Sequence, residues 1–326
     1  MTKLPHRRDF LHLAAGAAAL PAATRFTWAQ AYPARPVRLI DGYPPGGSAD
    51  IIARLIGQWL SERLGQPFVI DKPGGDGNIA TETVVSAPPD GHTLLLVGTS
   101  HTVNATLYDK LNFNFVRDIA PVGGIIRQPQ VMLVNPSVPA KTVPEFIAYS
   151  RANPDKINMA SGGNGSTSHL SGELFKMMAG VTMAHTPYRG VAPALTDLLG
   201  GKVQVYFGPA PATIEHIRSG KLRALAVTTS TRLEVLPDIP TVGEFVPGYE
   251  AIGFFGLGAP KNTPAEIVNT LNKEMNAGFT DPTMKSRIAD LGSMAFPGSP
   301  ADFAKFIADE TEKWGKVIRT ANIKAQ

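Results

Sequence analysis

Short apolar runs alternate with helix-period patterns along nearly the whole chain, and this alternation limits the fold more than any other feature. The strand-like runs are Val37-Arg38-Leu39-Ile40, Phe68-Val69-Ile70, Leu94-Leu95-Leu96-Val97, Val131-Met132-Leu133-Val134, Val203-Gln204-Val205-Tyr206-Phe207 and Ala224-Leu225-Ala226-Val227. Between them, Ile51, Ile52, Leu55, Ile56, Trp59 and Leu60 recur at helical spacing, as do Leu170, Leu174, Phe175 and Met178. The pattern predicts an α/β protein with mainly parallel sheets. In such sheets ligands sit beyond the carboxyl ends of the strands.

Two glycine-rich strand-to-helix turns fall at those ends: Tyr43-Pro44-Pro45-Gly46-Gly47-Ser48 and Ser161-Gly162-Gly163-Asn164-Gly165-Ser166-Thr167. Each should aim unpaired backbone N–H groups and the positive end of a helix dipole at one spot. Two such spots suit a dicarboxylate, or one carboxylate on a short scaffold. Gly46, Gly47 and Ser48 would present amides and a hydroxyl, because glycine permits close backbone approach. A plain helix cap at Ser48 is the simpler reading. Asp50 suits the helix dipole but would repel an acidic ligand, so it reads as structural. Gly165, Ser166 and Thr167 are the second counterpart, with Ser161 ending the preceding strand and His169 either adding a hydrogen bond or serving the fold. Thr99, Ser100, His101 and Asn104 follow another strand and either meet the ligand or close their loop. Tyr43 and Tyr188 are candidate pocket walls. Arg189 fits ligand neutralisation and an exposed position equally.

The first 31 residues read as an export signal. Arg7-Arg8-Asp9-Phe10-Leu11 precedes a weakly apolar run to Leu20, and Ala29-Gln30-Ala31 offers cleavage after Ala31. The paired arginines suggest the twin-arginine route to the periplasm, and the apolar run is too short for a spanning helix. Of the chain's 31 basic and 27 acidic residues, removal of that segment leaves 27 and 26, so the mature 295 residues are nearly neutral. No nucleic-acid footprint survives. With no cysteine, disulfides, thiolate catalysis and cysteine metal sites are excluded. The histidines outside the signal are scattered without His-x-x-x-His spacing, so no metal is expected. No cofactor is expected either: neither turn ends in Gly-Lys-Ser/Thr, and Gly74-Gly75-Asp76-Gly77 lacks dinucleotide spacing. A hydrolase using Ser166 or Ser100 with His169 or His101 lacks the Gly-x-Ser-x-Gly elbow.

Two stretches could cross between lobes, Val122 to Val134 and Ala251 to Gly258. Their glycines fit either a hinge or tight strand packing. Near the end, Phe303, Phe306, Ile307, Trp314, Val317 and Ile318 mark the apolar face of a long helix packed on a lobe.

These segments resemble the Bug family, the extracytoplasmic solute receptors of tripartite tricarboxylate transporters. The resemblance rests on Tyr32-Pro33 with Arg35-Pro36-Val37-Arg38, Pro44-Pro45-Gly46-Gly47-Ser48-Ala49-Asp50, Lys72-Pro73-Gly74-Gly75-Asp76-Gly77-Asn78 and Pro89-Asp90-Gly91-His92-Thr93-Leu94. It continues through Gly165-Ser166-Thr167-Ser168-His169-Leu170 with Glu173, Tyr188-Arg189-Gly190 and Gly220-Lys221-Leu222-Arg223-Ala224-Leu225-Ala226. It implies a two-lobed, type II periplasmic binding protein-like α/β fold with a discontinuous first lobe (32–131 and 253–326), an inserted second lobe (132–252) and a ligand cleft between them. It also implies a receptor, not an enzyme, that hands a small carboxylate (dicarboxylate, tricarboxylate or aromatic acid) to membrane subunits of such a transporter; a monomer is the expected state. A membrane sensor kinase is the alternative partner. Where many family members carry an aspartate, this chain has Gly208 after Phe207. If that position faces the pocket, a partner for a ligand ammonium is gone and room is gained, favouring non-amino acids over acidic amino acids. Replacing Gly47 by a bulky residue should weaken ligand binding sharply, read by calorimetry, while the folded circular-dichroism signature stays unchanged.

Overall fold

In the computed structural model, which describes residues 32–43, 45, 48–73, 77–108 and 110–325, one long strand joins two sheets. The strands in chain order are β1 (Val37–Ile40), β2 (Phe68–Asp71), β3 (Thr93–Gly98), β4 (Ile119–Val134), β5 (Asn158–Ser161), β6 (Ala184–Pro187), β7 (Val205–Pro209), β8 (Arg223–Val227), β9 (Ile252–Pro260) and β10 (Met294–Ala295). The helices are α1 (Ser48–Leu64), α2 (Asn78–Val85), α3 (Thr99–Leu107), α4 (Phe115–Asp118), α5 (Val143–Ala152), α6 (Thr167–Ala179), α7 (Val191–Leu199), α8 (Ala210–Arg218), α9 (Ala265–Gly278), α10 (Pro282–Asp290) and α11 (Pro300–Thr320). The export-signal reading falls on residues outside those described, as do Gly46 and Gly47.

The strand that crosses is β4. From Ile119 to Pro129 it pairs antiparallel with β9, and from Gln130 to Val134 it pairs antiparallel with β7, with β8 on its other side. The first sheet runs β2-β1-β3-β9-β4 and the second β4-β7-β5-β6. The outer pairs β1/β2, β1/β3, β5/β6 and β5/β7 are parallel, because helices carry the chain back between them. The sheets are therefore mixed rather than mainly parallel. Parallel order stops where β4 and β9 return the chain from one sheet to the other without a helix.

At the crossing, the Gln130 amide donates to Thr228 Oγ1, the Thr228 amide donates to the Gln130 carbonyl, and the Ala251 amide donates to the Thr228 carbonyl. The glycines of the two crossing stretches serve close packing. A Cβ on Gly124 would lie 2.5 Å from the Phe296 ring, and one on Gly256 would lie 2.2 Å from Phe303. No side chain fits there.

Each sheet has its own apolar core. In the first, α1 lays Ile52, Ile56 and Leu60 on Val37, Leu39, Leu94 and Leu96, with Leu271 and Met275 of α9 closing the layer. In the second, Leu170, Leu174 and Phe175 of α6 and Phe146 of α5 cover Met132, Met159, Val205 and Phe207. The α11 helix belongs to both. Its Phe303 and Ile307 pack with Ile40, Leu95, Val97 and Phe254, whereas Trp314, Val317 and Ile318 join the second core. The sequence pattern placed this helix on a single lobe. Periodicity shows that a stripe is buried but not how many cores it crosses.

Candidate functional site

The carboxyl ends of β1, β3 and β5 converge on a cavity of about 190 Å³ between the two sheets. From the first sheet come Tyr43, Thr99 and Ser100, and from the second come Gly165, Ser166 and Thr167. The sequence reading named all six. It missed Gln128, Gly253, Phe254 and Phe255, which the crossing strands β4 and β9 place between the two groups. The glycine-rich crossing stretches were the available signal, but nothing in them says which side chains face a cleft.

On the first side, the Tyr43 hydroxyl and Ser100 Oγ share a hydrogen bond of 2.7 Å, and the Tyr43 ring stands edge-on to Phe255 at 5.5 Å. Burial pushes the Tyr43 hydroxyl well above the usual phenol range, so it stays a neutral donor. Thr99 Oγ1 accepts the Phe254 amide at 3.3 Å, fixing the start of α3 against β9. Gln128 Nε2 donates to Ser48 Oγ at 3.1 Å and so ties the crossing strand to the start of α1.

Beneath this turn lies a charge cluster. Asp41 is fully buried, accepts the Tyr43 amide at 2.9 Å and pairs with Lys72. Lys72 Nζ also stands 3.3 Å from Asp50 Oδ1 and 3.3 Å from the Tyr43 carbonyl oxygen. Asp50 is paired with Arg54 as well. The acidic group beside the turn is thus neutralised from below, which agrees with a structural role for Asp50.

On the second side, the glycine-rich turn is largely satisfied by its own side chains. The Gly162 amide donates to Ser168 Oγ (2.9 Å), Gly163 to Ser161 Oγ (3.2 Å), Gly165 to His169 Nδ1 (3.1 Å) and Ser166 to the Gly163 carbonyl (3.2 Å). Ser166 caps α6 by accepting the His169 amide at 3.3 Å. In the next two residues, the amides of Thr167 and Ser168 and the Thr167 hydroxyl have no partner among the described residues. The donors open to an anion here belong to the first turn of α6, not to the glycines that precede it.

The remaining candidates are placed off the cavity. His101 is buried, with Nδ1 3.0 Å from the Gly98 amide, and Asn104 donates to Asn78 at 2.9 Å. Ser161 and His169 hold the turn from behind. Tyr188 donates to Asp197 Oδ2 at 2.8 Å, and burial together with that bond pushes its hydroxyl up to about 12. Gly208 corrects an expectation. A Cβ there would meet the Tyr206 ring at 2.6 Å and Thr213 at 3.0 Å, so the position points into the second lobe and opens no room in the cleft. The Tyr206 ring fills the space instead. Among the described residues no helix is long and apolar enough to cross a membrane, and no group of three or more His, Cys, Asp or Glu side chains could hold a metal ion.

The model of the tripartite tricarboxylate transporter family receptor matches residues 52–323. The chain belongs to that receptor family. It is 38% identical to the R. palustris protein Rpa4515, whose structure is described with adipate, at a TM-score of 0.77 with 90% of this chain and 99% of that one covered. The periplasmic binding protein BugD is 32% identical, with a TM-score of 0.74 over 90% of this chain and all of the other. MatC from Rhodopseudomonas palustris, with bound malate, is 31% identical, with a TM-score of 0.74 over 88% of this chain and all of the other. This receptor family consists of periplasmic solute-binding proteins rather than enzymes, and the mixed α/β two-lobed architecture is theirs.

Lys72 is the member of the charge cluster whose loss is most telling. Lys72→Met strands the buried Asp41 carboxylate and should lower unfolding free energy by about 3–5 kcal/mol in urea titration, with Asp41→Asn in the same chain restoring part of it.

Proposed function

We propose that this chain captures a small non-amino carboxylate, most naturally a linear dicarboxylate, between lobes 32–131 with 253–326 and 132–252, and presents the closed form to the membrane subunits of a tripartite tricarboxylate transporter. The observation that carries this reading is the open first turn of α6: among the described residues the Thr167 amide and hydroxyl have no partner, and the described lining of the cavity beside them carries no charged side chain. A dipole end with free donors favours an anion. With no carboxylate among the described lining residues to receive an ammonium, acidic amino acids gain nothing from them.

The opposite wall fits the rest of such a ligand. Tyr43 and Ser100 offer hydroxyls to a second polar group, while Phe254 and Phe255 line the span with apolar surface. A chain of methylenes packs against phenyl rings without loss of hydrogen bonds. The adipate and malate of two relatives are ligands of this kind. The change of β4 partners between Pro129 and Gln130 supports lobe boundaries close to those residues. Closure is favoured because a solute touching both groups of donors binds the closed form more tightly. Export with cleavage after Ala31 agrees with the periplasmic family.

A thermal-shift series tests the ligand class. Succinate, malate and adipate should include at least one compound that raises the melting temperature, since about 2.7 kcal/mol is gained at a hundredfold excess over Kd. Aspartate and glutamate should leave it unchanged. Stabilisation by the amino acids alone would refute the reading. Thr167→Val removes one donor that has no partner among the described residues, so calorimetry should read roughly tenfold weaker binding, about 1.4 kcal/mol, with unchanged melting of the free protein.

A further inference from the structure

Behind the second glycine-rich turn, facing an outer groove rather than the cleft, two histidines stack ring on ring. The centroids of His169 and His185 are 3.6 Å apart and the planes 5° from parallel. His169 is 4% exposed, and its Nδ1 accepts the Gly165 amide at 3.1 Å. That bond requires a bare Nδ1, so the ring proton sits on Nε2, which faces Glu173 Oε1 at 3.6 Å. His185 Nε2 lies 2.6 Å from Ser161 Oγ, the same hydroxyl that accepts the Gly163 amide. The stacked pair thus holds the turn at both glycines. Gly165 itself lines the cavity.

The charged and titratable groups around His169 come from three segments. Glu173 and Lys176 share its helix, His185 lies on β6, and Lys324 lines the same groove from the segment after α11. Glu173 places negative charge beside the ring, and Lys176, Lys324 and the positive end of α6 place positive charge around it. Burial, with His169 beside it, pushes His185 down to about 4, which leaves that ring neutral through the range in which a histidine ordinarily titrates.

We propose that His169 is a positioning residue whose neutral ring holds Gly165, and with it the start of α6, in the ligand-accepting geometry, so that proton uptake at Nδ1 in acid releases the turn and lowers solute affinity. The proposal rests on the reading of the cleft as a carboxylate site. Its sign follows from linkage. If the neutral form binds better, bound solute lowers the proton affinity of His169, binding expels a proton, and affinity is full above the titration range and lost below it.

The test compares the wild-type mature chain with His169→Asn, whose side-chain oxygen can still accept the Gly165 amide but does not titrate. With adipate as probe, calorimetry at pH 7.5 and 5.5 should show at least a tenfold loss of affinity for wild type in acid and under threefold for the variant. Adipate's own ionisation is common to both proteins and cancels in the comparison. In the ligand-free protein, the Gly165 amide resonance should shift with the same midpoint as the His169 ring. Equal pH dependence in wild type and His169→Asn, affinity that rises in acid, or a Gly165 amide indifferent to His169 titration would overturn the proposal. If adipate binds neither protein, the cleft reading fails separately, and the Gly165 amide titration alone decides whether the histidine pair holds the turn.

Discussion

A single sixteen-residue strand shared by two sheets governs this structure. While β4 pairs with β9 it is part of one lobe, and from Gln130 onward it is part of the other, with Thr228 and Ala251 hydrogen-bonded at the junction. The cleft is the consequence. Strand ends that carry helix N-termini are brought face to face across the junction, and the residues of the junction itself, Gln128 and Gly253 to Phe255, form the wall between them. Because the strand is continuous, the proposed closure of the two halves would have to be absorbed where its pairing changes, close to the cleft wall.

The site is built largely from neutral donors held by charged or titratable groups outside the lining. Lys72 between Asp41 and Asp50 supports the first turn, and the His169–His185 stack supports the second. Hydroxyls and amides facing a low-polarity wall suit the proposed carboxylate, because they would select it by direction and distance while the ionic groups that fix them stay outside the lining. The α11 helix adds a second connection between the halves, with Phe303 and Ile307 in one core and Trp314, Val317 and Ile318 in the other. Both halves therefore depend on it for apolar burial.

Much of this was legible in the chain. Six of the ten cleft residues follow from the rule that ligands sit beyond strand ends and from the glycine-rich turns found there. The strands read from apolar runs are all present, although the run at 203–207 begins two residues later than expected, at Val205. Less was legible at Gly208, where a missing side chain suggested an open pocket and the neighbouring Tyr206 ring occupies the space. Sequence reading also assigned the turn amides to a ligand, whereas Ser161, Ser168 and His169 take three of them. Side chains that fold back on their own turn cannot be told from spacing, because the same residues suit a cap and a binding site equally.

By itself, the sequence determined the class of the molecule: alternating runs demanded layered α/β units, the lack of cysteine removed disulfides and thiol chemistry, and the glycine-rich turns marked two strand ends that meet at the cleft. Local patterns decide such matters because they depend on residues a few positions apart. Tertiary structure alone decided that β4 leaves one sheet for the other, that Phe254 and Phe255 wall the cleft, and that the cleft donor without a partner among the described residues lies at Thr167 rather than at Gly165. Those outcomes depend on which surfaces meet after long loops close. Such pairings are fixed by packing across more than a hundred residues, and no local periodicity records them.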